Sequence, residues 1–394
     1  MLVQPTLTPT GGGEGVCVWI LEALKGDHDL SVLTWEAPDF AALDAFFGSS
    51  LASAGFEVRL AHPWLPTRVR RGRVARQLKH WALLAEARRQ RDVDLLIAAD
   101  EESDLGGDGI QYVHFPRLQH LRPDPGPVPA TPGRLLRGLA FDAYRRASAR
   151  VTGFSLARMR RNVTVVNSAF TANEVRRLHG IESTTIHPPA VGPFPQVDWG
   201  DRTDGFVAVG RIVPEKRLEL VIDIVRRVRE AAGARASGRE EAPGLPLHIV
   251  GAGSDSLYEA RVMAMARQAG PWVHVHRRLS RAALVGLLAR HRHGIHAMAE
   301  EHFGMAVAEM VAAGMIPFVP RGGGQVEIVR DDRLLWSTPE EAVSKLTALR
   351  ASAPAQASVR ARLAERATEL GPERFMREIR ALVLTTRSRV GRPS

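Results

Sequence analysis

Two glutamates in the segment EEHFGMAVAEMVAAGMIPFVPRGGG (300–324) have a spacing that suits the binding of sugar hydroxyls. Seven residues separate Glu301 from Glu309, and a helix is predicted between them. Eight helical positions cover a little over two turns, which would place the second carboxylate about 10 Å along the axis on nearly the same side. Such a pair suits the hydroxyls of a sugar and of a ribose. The alternative is two surface glutamates on a capped amphipathic helix.

The start of this predicted helix offers backbone donors. The N–H groups of Phe303, Gly304 and Met305 are expected to have no partner within the helix, so they are available to an anion or a hydroxyl. A glycine at 304 also lets a ligand approach the backbone closely.

Two cations follow a predicted strand in the segment VGRIVPEKRLE (209–219). Arg211 offers a planar fork and Lys216 a point charge, so the two can flank a diphosphate. Together they would neutralise a leaving nucleoside diphosphate without a metal ion. The alternative is a pair of solvated loop residues.

A glycine run and a histidine mark the first half of the chain. Gly11, Gly12 and Gly13 lead into an apolar helical stretch, where backbone N–H groups can meet a phosphate. Neither the dinucleotide fingerprint nor a GxxxxGK[ST] loop is complete in the sequence, which argues against an NTPase. His114 ends a predicted strand in QYVHFP and is expected to point into an interdomain cleft; the alternative is a hydrogen-bonded structural histidine.

Several histidines resemble metal ligands, namely His274, His276, His291, His293 and His296. No nearby cysteine or acid completes a zinc set at the usual spacing, so we expect no metal site. A serine hydrolase is also disfavoured, because no G-x-S-x-G motif follows a strand.

Short β-like runs alternate with helical stretches throughout the chain, a pattern typical of parallel α/β sheets with crossover helices. Strands are predicted over 29–35, 56–61, 93–99, 110–115, 163–167, 183–188, 205–210, 247–253, 272–276 and 315–320. Helices are predicted over 68–90, 134–158, 168–178, 217–231, 256–269, 280–290 and 304–313, with a helical tail. Pro5 interrupts the position expected for the first central strand, so that strand should be short.

The chain of 394 residues is long enough for two domains. We expect an N-terminal, acceptor-side Rossmann-like domain over 1–192, a proline- and glycine-rich linker over 193–204, and a second Rossmann-like domain over 205–371 that binds a sugar nucleotide. A final helix over 372–394 is expected to pack back toward the first domain. In such sheets ligands bind beyond the carboxyl ends of the strands, so two facing domains would enclose a cleft.

The composition indicates a globular protein that needs no disulfide, because Cys17 is the single cysteine. No signal-peptide pattern and no apolar run of membrane-spanning length is present in the sequence. These features predict a cytoplasmic protein.

The net charge is +10, and the first half contains two strongly basic stretches. The stretch from Arg117 to Arg161 holds ten arginines and two acids, and 68–79 holds six basic residues and no acid. The predicted helix 134–150 could rest on an anionic membrane surface, with Leu135, Leu136, Leu139 and Ala143 as its apolar stripe. The alternatives are a stripe packed on its own sheet or an ordinary arginine-rich surface. Few aromatic residues interleave with the basic runs, so a nucleic-acid-binding protein is a distant alternative.

Seven segments in order resemble family 4 of the retaining glycosyltransferases, which have the GT-B fold. They are GGGEGV, QYVHFP, VTVVNSAFTANEV, IHPPAV, GRIVPEKRLELVI, HIVGAG and EEHFGMAVAEMVAAGMIPFVPRGGGQVEIV. Within the family, GGGE, YVHFP and VNSAFT look most similar to the α-1,2-mannosyltransferases that extend lipid-linked oligosaccharides from GDP-mannose.

The resemblance implies a role for each candidate residue. Glu309 would hold the donor ribose and Glu301 the transferred sugar. Arg211 and Lys216 would grip the diphosphate, with Gly12 and Gly13 closing over it from the first domain. His114 would lie beside the reacting sugar, and the N–H groups of residues 303–305 would meet sugar oxygens. The catalytic set would comprise His114, Glu301, Arg211 and Lys216.

The expected activity is a metal-independent, cofactor-free transfer of a hexose from a nucleoside-diphosphate sugar to a glycan or lipid-linked hydroxyl, with retention. GDP-mannose is the favoured donor and a UDP-sugar the other candidate. A sugar-nucleotide epimerase or a phosphorylase on the same architecture is the alternative.

Overall fold

The computed structural model describes residues 1–8, 11–61, 76–118, 132–235, 244–253 and 256–390. The chain forms two compact units. Unit 1 comprises Met1–Pro188 with Glu373–Ser394, and unit 2 comprises Pro189–Pro372. The residues predicted as a linker, 193–204, therefore belong to unit 2, where Arg202 donates hydrogen bonds to the carbonyls of Val197 and Ala313.

Unit 1 contains, within the described residues, a seven-stranded parallel sheet in the order β3-β2-β1-β4-β5-β6-β7. The strands are β1 (Leu2–Val3), β2 (Ser31–Thr34), β3 (Glu57–Leu60), β4 (Ile97–Ala98), β5 (Ile110–Val113), β6 (Val163–Val166) and β7 (Thr184–Thr185). The helices are α1 (Gly12–Leu24), α2 (Phe40–Phe47), α3 (Arg76–Ala87), α4 (Pro132–Thr152), α5 (Leu156–Arg161) and α6 (Ala169–His179). All six strands predicted for this half are present but shorter, and the predicted helix 134–158 is divided into α4 and α5.

Strand β1 is short, as Pro5 predicts. The strand ends at Val3, yet the carbonyl of Pro5 still accepts hydrogen bonds from the amide of Trp35 and the hydroxyl of Thr34. Proline lacks an N–H but keeps its acceptor, so the chain continues along β2 without a complete ladder. Cys17, on α1, is a buried free cysteine.

Unit 2 has a six-stranded parallel sheet in its described part, in the order β10-β9-β8-β11-β12-β13. The strands are β8 (Thr203–Val209), β9 (Leu247–Val250), β10 (Val273–His276), β11 (His291–Ile295), β12 (Ile316–Pro320) and β13 (Leu335–Trp336). The α-helices are α7 (Leu218–Arg235), α8 (Ser256–Ala269), α9 (Arg281–Ala289), α10 (Met305–Ala312), α11 (Gln325–Val329), α12 (Pro339–Arg350) and α13 (Ala353–Glu369), with a short 3-10 helix at Pro214–Lys216. A buried hydrophobic core of aliphatic and aromatic residues lies between the sheet and its helices.

The tail of the chain is helix α14 (Pro372–Val390), most of which belongs to unit 1. Its Phe375 ring lies 6.4 Å from that of Tyr112, and Arg380 donates a hydrogen bond to the carbonyl of Ala23. Among the described helices none is both long and apolar enough to cross a lipid bilayer.

Candidate active site

Strands β8 and β11 are neighbours at the centre of the unit 2 sheet. From β8 the chain continues toward one edge of the sheet, and from β11 it continues toward the other edge. Strand β9 lies beside β8 and strand β12 beside β11, so the strand order reverses direction between them. Ligands of such sheets bind at this switch point, beyond the carboxyl ends of the strands. Lys216 follows β8, while His296 and Glu301 follow β11. The topology therefore brings three side chains from distant positions of the sequence to the same edge.

Lys216 and His296 converge on one oxygen of Glu301. The Lys216 ammonium forms an ion pair with Oε2 of Glu301, and the His296 Nε2 lies 2.9 Å from the same oxygen. A carboxylate oxygen only accepts, so His296 carries its proton on Nε2. The side chains of Lys216 and Glu301 are 16% and 15% exposed, which keeps the pair partly accessible to a ligand.

Glu301 is ionised at neutral pH despite its burial. Burial by itself would raise the pKa of its carboxyl group. The hydrogen bond from His296 and the positive charge of Lys216 outweigh that effect and hold the pKa well below its usual range. The site therefore presents a charged acceptor flanked by two donors.

A glycine loop fixes the backbone of Glu301. The amide of Gly324 donates a 2.7 Å hydrogen bond to the Glu301 carbonyl. Gly323 has φ +66°, and a Cβ there would lie only 2.4 Å from the same carbonyl oxygen. A Cβ at Gly322 would lie 2.8 Å from the carbonyl oxygen of Ala299. Only glycine at 323 satisfies both the left-handed backbone and the close approach.

Helix α10 begins at Met305. The predicted distance between the two glutamates required a helix that runs from Glu301 to Glu309. Gly304 is the N-cap of α10, with φ +109° and no side-chain cap, and Glu301 lies in the preceding loop. The geometry predicted from helical spacing therefore does not apply between Glu301 and Glu309. Phe303 is buried at 2% exposure. The first-turn N–H groups that begin at Met305 have no acceptor within the helix and remain candidates for ligand oxygens.

Glu309 pairs with a residue that the sequence patterns do not single out. Its Oε1 lies 2.7 Å from the Arg281 guanidinium, and both side chains are about 15% exposed. Lys216 pairs with Glu301 instead, so the expected arrangement of both glutamates around both cations is replaced by two separate ion pairs. The physical reason is burial, because a carboxylate on the inner side of α10 needs a cation close at hand.

Arg211, the other predicted cation, is exposed after β8. Its side chain has neither a hydrogen bond nor an ion pair with any described residue. Its backbone lies close to that of Gly251, where a Cβ would come within 1.8 Å of the Gly210 carbonyl oxygen. The two loops that follow β8 and β9 are therefore in close backbone contact, with Arg211 at their outer edge.

In unit 1, the glycine run and His114 come together. Helix α1 starts at Gly12 after strand β1, and Gly11 is its N-cap. The backbone of Gly13 approaches His114, because a Cβ at Gly13 would lie 3.4 Å from Nε2 of the imidazole. That Nε2 lies 3.2 Å from the carbonyl oxygen of Ala99, so it carries the proton. Burial lowers the pKa of His114, opposed by Asp100, so the ring is neutral.

The histidines of the H-x-H pairs have other roles. His248, His274, His276 and His291 form a cluster on one face of the unit 2 sheet. The Nδ1 of His248 lies 2.9 Å from Nε2 of His276, and the rings of His274 and His291 each lie 4.7 Å from that of His248. No set of three histidine, cysteine or acidic side chains in the described part of the chain is arranged to hold a metal ion.

His296 and Arg281 are the candidate site residues that sequence patterns leave out. His296 stands among the residues considered as metal ligands, and its contact with Glu301 depends on strand β11, which was not predicted. Arg281 opens helix α9 with no motif around it. The signal for His296 was its place directly before the segment that contains both glutamates.

The two sheets define the class of fold. Three solved structures are similar to nearly the whole chain at low sequence identity. Anabaena HepE in complex with UDP and glucose is 13% identical over 98% of each chain, with a TM-score of 0.64. WaaG, a glycosyltransferase involved in lipopolysaccharide biosynthesis, is 14% identical over 96% of this chain and 98% of that chain (TM-score 0.66), and sucrose-phosphate synthase from Thermosynechococcus elongatus is 14% identical over 98% of each chain (TM-score 0.67). The prediction of a GT-B fold built from two Rossmann-like domains is confirmed.

The more particular assignment concerns unit 2. Residues 194–369, somewhat less than half of the chain, match the family model described as glycosyl transferases group 1. A curated relative from Dictyostelium discoideum, GDP-Man:Man(3)GlcNAc(2)-PP-Dol alpha-1,2-mannosyltransferase, is 29% identical over 196 residues. The match covers 45% of this chain and 38% of the relative's length.

Proposed function

We propose that this protein transfers a hexose from a nucleoside-diphosphate sugar to a hydroxyl of a glycan or lipid-linked acceptor. The observation that carries the proposal is the group of Lys216, His296 and Glu301 at the switch point of the unit that matches the group 1 glycosyl transferase model. A charged carboxylate beside a cation suits a ligand that has both hydroxyls and a diphosphate. GDP-mannose is the favoured donor, because the curated relative is named for that donor.

Each candidate residue has a proposed role in donor binding. Glu301 accepts hydrogen bonds from the transferred sugar, and Glu309 from the ribose. Lys216 and the exposed Arg211 hold the diphosphate without a metal ion, and the N–H groups of the 303–305 segment meet sugar oxygens. Gly12, Gly13 and His114 are assigned the roles that the family resemblance implies for them, and within unit 1 the backbone of Gly13 lies beside the neutral His114.

The proposed reaction proceeds with retention of configuration at the anomeric carbon. The bond between that carbon and the diphosphate oxygen breaks, and the acceptor oxygen attacks from the same face. The acceptor proton passes to the departing phosphate. Negative charge grows on the diphosphate as the bond breaks, so fixed cations stabilise the transition state more than the ground state.

The basic face of unit 1 supports an anionic membrane as the surface that carries the acceptor. Ala143, Ala147 and Val151 follow Leu139 at intervals of four residues on α4, and all four are exposed, Leu139 at 67% and Val151 at 64%. The exposed Arg146, Arg150, Arg160 and Arg161 lie on α4 and α5. An apolar stripe with arginines beside it favours the interface of an anionic bilayer. The predicted stripe residues Leu135 and Leu136 and the basic stretch 68–75 lie outside the described side chains.

The test is a thermal-shift panel of UDP, GDP, ADP and their hexose conjugates. A true ligand at 100-fold over its Kd adds about 2.7 kcal/mol to the free energy of unfolding. Release of nucleoside diphosphate that depends on an alkyl glycoside, with a product of retained anomeric configuration by NMR, would support the proposal. Stabilisation by none of these nucleotides would overturn it. Nucleotide release without an acceptor would point to an epimerase, and a requirement for inorganic phosphate to a phosphorylase.

A further inference from the structure

Arg281 links three parts of unit 2. It is the first residue of helix α9, which Ser280 caps through its side chain. Its Nη1 lies 2.7 Å from Oε1 of Glu309 on α10, and its Nη2 donates a hydrogen bond to the carbonyl of Val191. The guanidinium therefore joins the start of unit 2 to the helix that carries one of the two candidate glutamates.

The position of Arg281 is unfavourable for its own helix. The N-terminus of a helix carries a partial positive charge, and α9 has no acidic residue in its first turn to offset an arginine there. Helix α9 would form as well with a neutral residue at this position. The ion pair with the carboxylate of Glu309, on another element, compensates for this unfavourable position.

The Arg281 guanidinium favours the charged form of the Glu309 carboxyl. Burial raises the pKa of the Glu309 carboxyl above its ordinary value, and the charge and hydrogen bond of Arg281 oppose that rise. An ionised carboxylate accepts hydrogen bonds through both oxygens, whereas a protonated one becomes a donor at one of them. A vicinal diol such as that of ribose offers two hydroxyl donors, so only the ionised form can accept from both.

We propose that Arg281 is a positioning residue that keeps Glu309 charged and oriented toward the ribose hydroxyls of the donor. The proposal rests on the function proposed above. It explains why a long basic side chain that is only 15% exposed stands at a helix start, and it assigns Arg281 to recognition of the ribose rather than of the diphosphate. The competing interpretation is that Arg281 only ties residue 191 to the sheet.

The experiment compares Arg281→Gln, Arg281→Lys and Glu309→Gln with the wild-type chain by titration calorimetry at pH 8 and pH 6. The probes are GDP or UDP, whichever stabilises the wild type, and its 2′-deoxy counterpart. Arg290→Gln is the matched control, because Arg290 is an exposed arginine at the other end of the same α9 segment, without a carboxylate partner among the described residues.

We expect Arg281→Gln to weaken binding of the ribonucleotide about 10- to 100-fold, as for loss of a hydrogen bond to a charged group, with little effect on the 2′-deoxy form. The loss should be larger at pH 6 than at pH 8. Arg281→Lys should retain most of the preference for the ribonucleotide, since it keeps the charge. Glu309→Gln combined with Arg281→Gln should be no weaker than Glu309→Gln alone, and Arg290→Gln should match the wild type.

Equal weakening of the two nucleotides by Arg281→Gln, or an unchanged preference for ribose, would overturn the inference. If Arg281→Gln fails to fold, the Arg281→Lys variant decides: loss of the ribose preference with the charge retained would contradict the proposed role. Failure of the wild type to bind either nucleoside diphosphate would instead overturn the proposed function, so the two failures are distinguishable.

Discussion

The ammonium of Lys216 lies against the carboxylate of Glu301, 85 residues further along the chain. The two residues follow neighbouring parallel strands, so the sheet converts a large separation in sequence into direct contact. The pair places a cation beside an acceptor at the switch point of unit 2.

Replacing Lys216 should impair catalysis while leaving the fold intact. We expect Lys216→Ala to lower kcat about 100-fold, because the fixed cation stabilises charge that develops on the leaving diphosphate. Glu301 keeps its hydrogen bond from His296 in the variant. Arg226→Ala is the control, since that exposed arginine pairs with carboxylates on its own helix. Full turnover in Lys216→Ala, measured with the donor identified by thermal shift, would refute the role.

A methyl group at position 323 should disturb Glu301 through its backbone. Gly323→Ala combines a left-handed φ with a contact of 2.4 Å to the Glu301 carbonyl oxygen, so we expect a loss of about 1–3 kcal/mol in stability and weaker nucleotide binding. Gly200→Ala is the matched control, because a Cβ there meets no atom within 4 Å. Equal melting temperatures for the two variants would contradict this interpretation.

The sequence contains the two glutamates and the glycine loop as one motif, but it does not predict which side chains contact the glutamates. The sequence predicts Glu301, Lys216 and the strand β8 that precedes Lys216, because aliphatic runs and turn residues are local signals. Strand β11 was not predicted because its sequence, HRHGI, contains two histidines and an arginine in place of aliphatic residues. His291 and His293 are nevertheless buried in the sheet at 5% and 1% exposure. Because these buried residues are histidines, strand β11 shows no run of aliphatic residues from which a strand could be predicted.

The partner of Glu309 could not be predicted for a different reason. The contact between Arg281 and Glu309 depends on how α9 and α10 pack on the sheet, and no local pattern encodes it. The prolines and glycines near 187–205 are typical of a linker, whereas the division of the structure into compact units places residues 189–205 in unit 2.

His296 should control the acid limb of the pH profile. In the wild type, burial favours the neutral form of Glu301, but His296 and Lys216 hold its pKa well below the usual range. His296→Ala removes one of these donors, so the pKa of Glu301 should rise and the acid limb of kcat/KM should move upward by about one pH unit.

His296→Gln is the matched variant, because its amide can still donate a hydrogen bond to Glu301. Its profile should stay closer to that of the wild type. An acid limb that is the same in the wild type and in His296→Ala would show that His296 does not act on Glu301.

The histidine cluster on the unit 2 sheet should make this unit sensitive to acid. Burial, together with the neighbouring His291, His274 and His276, lowers the pKa of His248 from 6.5 to about 3. The unfolded chain then takes up a proton before the folded one does, so stability is complete above about pH 6.5 and falls as the pH drops toward 3.

We expect the free energy of unfolding to fall by on the order of 1 kcal/mol between pH 8 and pH 5, after allowance for solvent screening around the half-buried His248 ring. His248→Gln should reduce that loss in chemical denaturation at the two pH values. His274 is the exposed member of the cluster, so His274→Gln is the matched control. It should reduce the loss of stability at low pH less than His248→Gln does. An identical pH dependence in the wild type and in His248→Gln would exclude the cluster as its source.

The exposed stripe on α4 should govern binding to anionic vesicles. Val151→Glu should lower the fraction that sediments with phosphatidylglycerol vesicles, with a binding constant reduced about tenfold, because an apolar contact is lost and a like charge is introduced. Leu257→Glu is the control, since Leu257 is an apolar residue of helix α8 in unit 2 that is 83% exposed. Equal sedimentation of both variants, or no preference for anionic over neutral vesicles, would remove the membrane from the proposal.

The hydrogen bond from Gly324 to the Glu301 carbonyl has a consequence for the energetics of ligand binding. A side chain on a mobile loop must be ordered when its ligand arrives, and each such side chain costs about 0.5–1.5 kcal/mol of binding free energy. Here the main chain of Glu301 is anchored to the 322–324 loop in the free protein, and its carboxylate is already oriented by two donors. The Glu301 carboxylate is therefore ordered when unit 2 folds, and binding of a sugar does not require a further loss of entropy at this side chain.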